Sequence, residues 1–555
     1  MLRLALGVLA AAAACTPAQY ARQADRSAYG LVGEKQARAL GTADPLDVTY
    51  RPIGAPTGAA ATQPCATMPA FFRGQPIPTA AQPPRVLSLE ECLEIAVSNS
   101  RPFQTRKEDL YRTALALANM RHDWSLVAGN IHGVGGANAQ GKVGNTYSGG
   151  GDATLSFAQK FATGGAATLA AGLDAATNFL NIRDTGFGSL LSANLTQPLW
   201  RGAWHGFAYE GLYRAERDFL YSILSYERFT QTFAVGIAQG YWSVLQNRDQ
   251  LTNETENLRR LDQTAKFTRA QVEAGMLSRV QSDQAEQNVF NAQARIENVR
   301  QVYLNSLDQF KLTLGLPLSA SIELDQKELA RLAPRDFPYP VGEAEEIALH
   351  TRPDVLETFA AVRDARRDVE MAADAFNPQL DVVLSSSAPG REPRTPFQTQ
   401  FQRNTRAAGV TFDYALDQWD NRDAYRLSQI ADEKARRNLV EMLDNVRMDV
   451  RRTYRSLQES RRLYEIQMAA VALALRRTRL AQLEQKEGLA STRDVLEAED
   501  ALRSSRNALT SALVGYASTR LNLLATLGMI RVDGQGQIRE REQPVHVDRY
   551  VPREE

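Results

Sequence analysis

Residues 206–274 read GFAYEGLYRAERDFLYSILSYERFTQTFAVGIAQGYWSVLQNRDQLTNETENLRRLDQTAKFTRAQVEA, and this stretch decides the fold. Ile223, Thr230, Ile237, Val244, Leu251, Leu258, Ala265 and Val272 recur every seven residues, and Leu212, Phe219, Tyr226 and Phe233 form a companion row four residues away. A seven-residue repeat kept over this length predicts long helices that supercoil left-handedly against neighbours. At ~1.5 Å per residue the stretch is roughly 100 Å of helix, far more than a globular domain requires. Gly275 interrupts the row and Ser278 stands where it can cap a returning helix, so the chain is expected to fold back at Gly275-Met276-Leu277-Ser278.

The pattern occurs twice. Shifted by 213 positions, the row lands on Leu443, Val450, Leu457, Tyr464, Val471 and Thr478, Tyr241 lands on Tyr454, Gly275 on Gly488 and Gly315 on Gly528. The second turn is then Gly488-Leu489-Ala490-Ser491. Upstream, Glu94-Ile95-Ala96-Val97 followed by Arg101-Pro102 returns as Glu346-Ile347-Ala348-Leu349 followed by Arg352-Pro353, at an offset of about 252. Because the offset shrinks from 252 to 213, the first repeat holds about 39 extra residues between its proline and its tyrosine. Two homologous halves, residues 86–335 and 336–530, therefore make one subunit.

The rhythm changes between Trp124 and Pro198 and again between Phe376 and Trp419, where alternation replaces the heptad. Leu191, Ala193 and Leu195 alternate with Ser192, Asn194 and Thr196; Val410, Phe412, Tyr414 and Leu416 alternate with Thr411, Asp413 and Ala415; Leu155, Phe157 and Phe161 alternate with Ser156, Ala158 and Lys160. Strands at about 125–197 and 379–417 with one apolar and one polar face suit a wall between lipid and water. The extra residues of the first half, about Asp152 to Thr177 with a turn at Thr163-Gly164-Gly165, read as an additional strand pair. Six strands still return the chain to the side where it began; the pair has three possible places, in the wall, above it or inside it. Trp124, Trp200, Trp204 and Trp419 lie where helices meet strands, as membrane-interface rings do, although core packing would also hold them there. An open sheet edge is not tolerated in lipid, so a subunit of this kind must assemble with copies of itself.

The remaining sequence sets limits. Sixty-four basic and 64 acidic side chains balance, which removes the charge that steers a protein to nucleic acid. After residue 15 no run of about 18 apolar residues is present to span a bilayer as a helix, so a membrane crossing falls to the strands. Residues 1–14 read as a secretory signal, with Arg3 ahead of an apolar run from Leu4 to Ala14. Small residues then precede Cys15 as in a bacterial lipoprotein cleavage site, which makes Cys15 the expected lipidation position; an ordinary signal peptide cut near an alanine is the other reading. Residues 15–85, rich in Ala, Pro and Gly, are expected to be extended, and residues 531–555 a flexible tail. Cys65 and Cys92 are the one pair available for a disulfide in an oxidising compartment. His122, His132, His205, His350 and His546 lie far apart with no metal spacing, and no nucleophile elbow, phosphate loop or dinucleotide fingerprint is present. No enzyme and no cofactor are expected. Arg391, Arg394, Arg403 and Arg406 in the loop at about 388–406 suit anionic lipopolysaccharide or plain solvation.

Over roughly residues 86–530 the chain resembles the TolC-like outer-membrane efflux family. The stretches that carry the resemblance are LSLEECLEIAVSNSRP, LTQPLWRG, AQGYWSVLQNRDQL, LHTRPDVLE and GLASTRDVLEAEDALRSSRNALTSALVGYASTRLNLLATLG. It implies a mainly α protein with a membrane β-barrel: a homotrimer whose coiled helical hairpins form an α-barrel tunnel across the periplasm and whose strands close one shared transmembrane β-barrel. It also implies a passive exit duct in a tripartite efflux system, with a periplasmic adaptor protein and an inner-membrane pump as partners and the bacterial outer membrane as location. The exit duct of a type I secretion system and a non-conducting coiled-coil envelope scaffold are the competing functions.

Residue by residue, Thr492-Arg493-Asp494-Val495-Leu496-Glu497-Ala498 is similar to the family segment whose two acids face the pore at its periplasmic constriction. Asp494 and Glu497, three apart and so on one helix face, take those positions. In a trimer they make two rings that attract cations, whereas a solvated acid pair is the plain alternative. The tips Gly275, Met276, Leu277, Ser278, Gly488, Leu489, Ala490 and Ser491 resemble the turns that meet an adaptor hairpin. The family's arginine lock falls on Ala490, and its polar partners on Val280 and Gln281, so the closed state is expected to be held differently.

Overall fold

The computed structural model describes residues 17–40, 46, 48, 85–128, 132–140, 146–178, 181–332, 334, 336–389, 404–487, 489–533 and 536–540. These divide into two compact units, one built from residues 1–43, 110–223 and 357–441 and the other from residues 44–109, 224–356 and 442–555. Helix α1 spans Pro17–Leu40, strand β1 Arg85–Leu87, α2 Leu89–Asn99 and α3 Arg101–Asp123. Then come β2 (Val127–Ala128), β3 (His132–Gln140), β4 (Thr146–Lys160), β5 (Ala166–Asn178), β6 (Asn181–Pro198), the short α4 (His205–Ala208), α5 (Glu210–Glu273) and α6 (Arg279–Leu314). The second half follows with β7 (Ile322–Leu324), α7 (Lys327–Arg331), α8 (Val341–Thr351), α9 (Pro353–Asp374), β8 (Gln379–Pro389), β9 (Thr405–Asp413), α10 (Trp419–Lys486), α11 (Thr492–Thr526), β10 (Ile530–Val532) and β11 (Ile538–Glu540).

The heptad stretch is one helix of 64 residues, and its counterpart α10 has 68. Each returns as a shorter helix, so both halves contain the expected hairpin.

The unit of residues 1–43, 110–223 and 357–441 carries one antiparallel sheet in the order β2/β3, β4, β5, β6, β8, β9. Both β2 and β3 pair with β4 and form one interrupted strand. The additional strand pair is therefore β4 and β5, which lie in register between β3 and β6. Their turn closes where expected: Gly164 takes φ +87°, Phe161 N–H reaches Gly165 O at 2.7 Å, and Trp204 N–H bonds Thr163 O at 3.1 Å. The α1 helix corrects the expectation of an extended segment over residues 15–85. Its Ala28, Leu31, Val32 and Gln36 recur at helical spacing and are buried, while Asp25 accepts from the Tyr111 hydroxyl at 2.7 Å and Lys35 pairs with Glu216 at 3.3 Å. The alanine- and arginine-rich composition hid this stripe, because only one narrow face is apolar.

In the unit of residues 44–109, 224–356 and 442–555 the main core is built from α2, α5, α6, α8, α10 and α11 around Tyr241, Leu245, Leu314, Leu523 and Leu527. Tyr241 is fully buried and donates to Leu87 O at 3.2 Å; burial pushes its hydroxyl pKa up. The repeated glycines have a packing reason. Gly315 ends α6 at φ +75°, where an added Cβ would lie 2.2 Å from Asn99 O, and Gly528 ends α11 at φ +69°, 3.0 Å from Thr351 O. Each closes its helix by lying directly on the carboxyl end of a short helix, α2 or α8, which is why these positions recur.

The repeated Arg-Pro pairs differ in use. Arg352 is buried and grips Asp354 through two contacts of 3.0 and 2.6 Å, whereas Arg101 is exposed. Burial alone would raise the Asp354 pKa, but Arg352 and Arg228 hold it below its ordinary value. The tail also needs correction: β10 and β11 form a hairpin, with Ile530 and Val532 in the core and Glu540 paired to Arg520 at 2.8 Å, so order extends past residue 531. Cys92 is a buried free thiol whose pKa desolvation raises to about 12; Cys65 lies outside the described residues.

Candidate functional site

At the first hairpin turn, Gly275 takes φ +78° and its N–H reaches Val272 O at 2.9 Å, while Met276 N–H bonds Gln271 O at 2.9 Å. These bonds satisfy carbonyls that the end of α5 would otherwise leave unpaired. Ser278 is the N-cap of α6 but makes no side-chain capping bond. Met276 and Val280 stand in solvent, each 73% exposed, with Leu277 half-buried between them.

At the second turn Leu489 and Ala490 both donate to Glu484 O, at 2.8 and 3.2 Å, and Leu489 is 81% exposed; Gly488 lies outside the described residues. Ser491 caps α11 fully. Its hydroxyl accepts from Asp494 N–H at 3.3 Å, and its own N–H donates to Asp494 Oδ2 at 2.9 Å. Asp494 is thus a capping residue as well as an exposed acid. The Ser491 hydroxyl and backbone N–H hold its carboxyl below the ordinary pKa.

Packing orients the rest of α11. Val495 and Ala498 meet Ala481 on α10, and Leu496 meets Leu261 on α5 and Ala292 on α6. What stays exposed is the face of Arg493, Asp494, Glu497 and Asp500, so the two expected pore acids do share it. Sequence reasoning missed the cations on that face. Glu497 accepts from Arg493 Nε at 2.9 Å, and Arg477 of α10 lies 3.9 Å away.

A second cluster escaped the sequence reading. Glu499, with no exposed surface, takes Arg260 Nε at 2.5 Å and the Gln482 amide at 2.6 Å. Next to it Arg503 bonds Glu254 at 2.8 Å, Arg506 bonds Glu256 at 2.7 Å, Asn253 bonds Asn507 at 3.0 Å, and the Thr510 hydroxyl bonds Asp249 at 2.5 Å. As residue numbers fall along α5 they rise along α11, so the two helices are antiparallel and laced by polar contacts. Of the three positions onto which the family resemblance carries a lock, Val280 is apolar and exposed, Ala490 has no polar side chain, and Gln281 is polar and half-buried.

The tryptophans sit at strand–helix junctions. Trp124 stacks on Tyr209 with centroids 4.2 Å apart, and Trp200, Trp204 and Trp419 are 55, 66 and 62% exposed, the last under Arg422 at 3.7 Å. Among the described residues Trp204 is the only non-glycine with a left-handed backbone, at φ +71°. Trp124 is half-buried, whereas the other three are largely exposed on the single chain. Cys15 and Arg391, Arg394 and Arg403 lie outside the described residues, while Arg406 falls in β9.

Duplicated helical hairpins joined to an amphipathic antiparallel sheet define a class of envelope channel. The outer membrane efflux protein family matches residues 191–316 and 346–529, one stretch in each repeat. The chain belongs to this family of TolC-like channels. It is an outer-membrane channel component of an export system rather than an enzyme or a scaffold.

Among solved structures, CusC is similar at 16% identity with a TM-score of 0.59, covering 79% of this chain and 92% of its own. The VceC outer membrane protein of Vibrio cholerae is similar at 15% identity and a TM-score of 0.60, over 79% of this chain and 96% of its own. The alkaline protease secretion protein AprF of Pseudomonas aeruginosa is 24% identical over 351 residues, 61% of this chain and 69% of the relative.

Proposed function

We propose that three copies of this chain form a passive exit duct, with the sheets closing a barrel in the outer membrane and the hairpins forming a conduit in the periplasm. A periplasmic adaptor and an inner-membrane pump supply the cargo, and a lipid on Cys15 anchors each subunit. The observation that carries this reading is the sheet itself, largely apolar on one face and small or polar on the other, with two edge strands that meet no further described strand, an arrangement lipid forbids in a lone subunit. Exposed Met276 and Leu489 are the adaptor contacts at the tips.

Asp494 and Glu497 line the constriction, with Arg493 and Arg477 tempering the negative charge of Glu497. The α5–α11 lacing around Glu499 replaces the missing lock and holds the closed state. A second reading, the duct of a protein-secretion system, is favoured by the similarity to a protease secretion protein.

The test is single-channel conductance in planar bilayers, comparing wild type with the Asp494→Asn, Glu497→Gln double variant. Small cation-selective openings that lose selectivity in the variant support the assignment. Unchanged selectivity removes both residues from the constriction, and folded trimers that stay without conductance even when Glu499→Leu breaks the α5–α11 lacing remove the duct.

A further inference from the structure

The additional hairpin β4–β5 bears the same two faces as the rest of the sheet. Leu155 and Phe157 on β4 align through the register with Ala171 and Leu169 on β5, then with Leu191 and Ala193 on β6. The same face continues through Leu384 and Val382 of β8 to Ala408 and Val410 of β9, with Gln159, Gln197, Ser386 and Arg406 as its polar members. The opposite face carries Thr154 and Ser156 on β4, Thr168 and Ala170 on β5, Ser192 and Asn194 on β6, Ser385 on β8 and Thr411 on β9, with Leu190 and Val383 as its larger apolar members.

A hairpin folded into a watery lumen has no use for the exposed leucines Leu155 and Leu169, and one raised above the membrane has none either. Its lower turn is fixed at the strand–helix junction, where Gly164 packs so closely on Gly202 O that a Cβ would approach to 2.7 Å. The pair therefore begins at the level of the other strands and runs beside them.

Resting on the reading as a trimeric duct, we infer that β4 and β5 are part of the transmembrane wall. Six strand positions from each of three copies then close a barrel of eighteen strands, in which β9 of one copy meets β2/β3 of the next. The parity permits this, because β3 and β9 are antiparallel: five successive antiparallel pairings separate them. With strands ~4.8 Å apart and tilted by about 40°, eighteen strands give a backbone diameter of about 36 Å, against about 24 Å for twelve. Allowing about 5 Å of side chain on the inner face, the free radius is about 13 Å rather than about 7 Å.

The experiment pairs electron cryo-microscopy of the detergent-purified full chain with polymer exclusion in planar bilayers. A variant lacking residues 146–178 keeps the antiparallel alternation and serves as comparison. The expected result is a trimer with eighteen wall strands, and a polyethylene glycol of about 10 Å hydrodynamic radius that enters wild type from the extracellular side but not the variant. A trimer whose wall has twelve strands, with β4–β5 inside or above it, overturns the inference and leaves the duct intact. Equal polymer exclusion in both proteins also overturns it. A particle with another number of copies overturns the trimer, and the eighteen-strand barrel with it.

Discussion

The carboxylate of Glu499, shut off from solvent, accepts a hydrogen bond from Arg260 Nε at 2.5 Å, joining α11 to α5 one and a half turns beyond Asp494. Removing one member of a buried ion pair strands the other charge and costs about 3–5 kcal/mol. Arg260 retains some exposure, so the lower end applies to Glu499→Leu. A fall in the thermal midpoint is expected, recovered largely by the double variant Arg260→Met, Glu499→Leu. If Glu499→Leu melts as wild type does, the pair does not hold these helices.

The two cap glycines give a graded pair. Gly315→Ala and Gly528→Ala each place a side chain at positive φ, which costs about 1–2 kcal/mol, but the first also drives its Cβ into Asn99 O. Gly315→Ala should destabilise more than Gly528→Ala in thermal unfolding; equal losses would mean that strain, shared by both positions, and not the close approach, sets the cost.

Acid should fray the start of α11. The folded Asp494 carboxyl lies below its ordinary value, so its capping contribution is fully present above about pH 4 and is lost as pH falls through the lower folded value. The protection of the first-turn amides of α11, measured against their intrinsic exchange rate at each pH, should fall on acidification in wild type and be low already at neutral pH in Ser491→Ala. Equal exchange in both proteins would show that the capping box adds nothing.

Cys92 should be silent to alkylation in the native protein at pH 8, since its thiol is buried and its pKa is raised to about 12. Peptide mapping after iodoacetamide treatment should find Cys92 modified only under unfolding conditions. Modification at the rate of an exposed thiol would place it outside the core.

Much of the fold is written in local periodicity. The seven-residue rows, from Ile223 to Val272 and again from Leu443 to Thr478, determined the two long hairpins, because a buried seam has to recur at the helical period whatever it packs against. Alternation around Leu191 and Val410 determined the strands for the same reason, and the repeat offsets located the extra hairpin and the cap glycines. Asp494 and Glu497 were legible as two acids on one face, three residues apart.

Tertiary structure decided what depends on distant neighbours. That β4 and β5 lie within the sheet follows from pairing with β3 and β6, which no local pattern encodes. That Arg477 reaches Glu497, and that Glu499 is a buried partner of Arg260 rather than one more solvated acid of a charged helix, depends on how α5, α10 and α11 are rotated against one another. The sequence by itself set the period of every element; the packing of one against another set which of its charged side chains meet water and which meet each other.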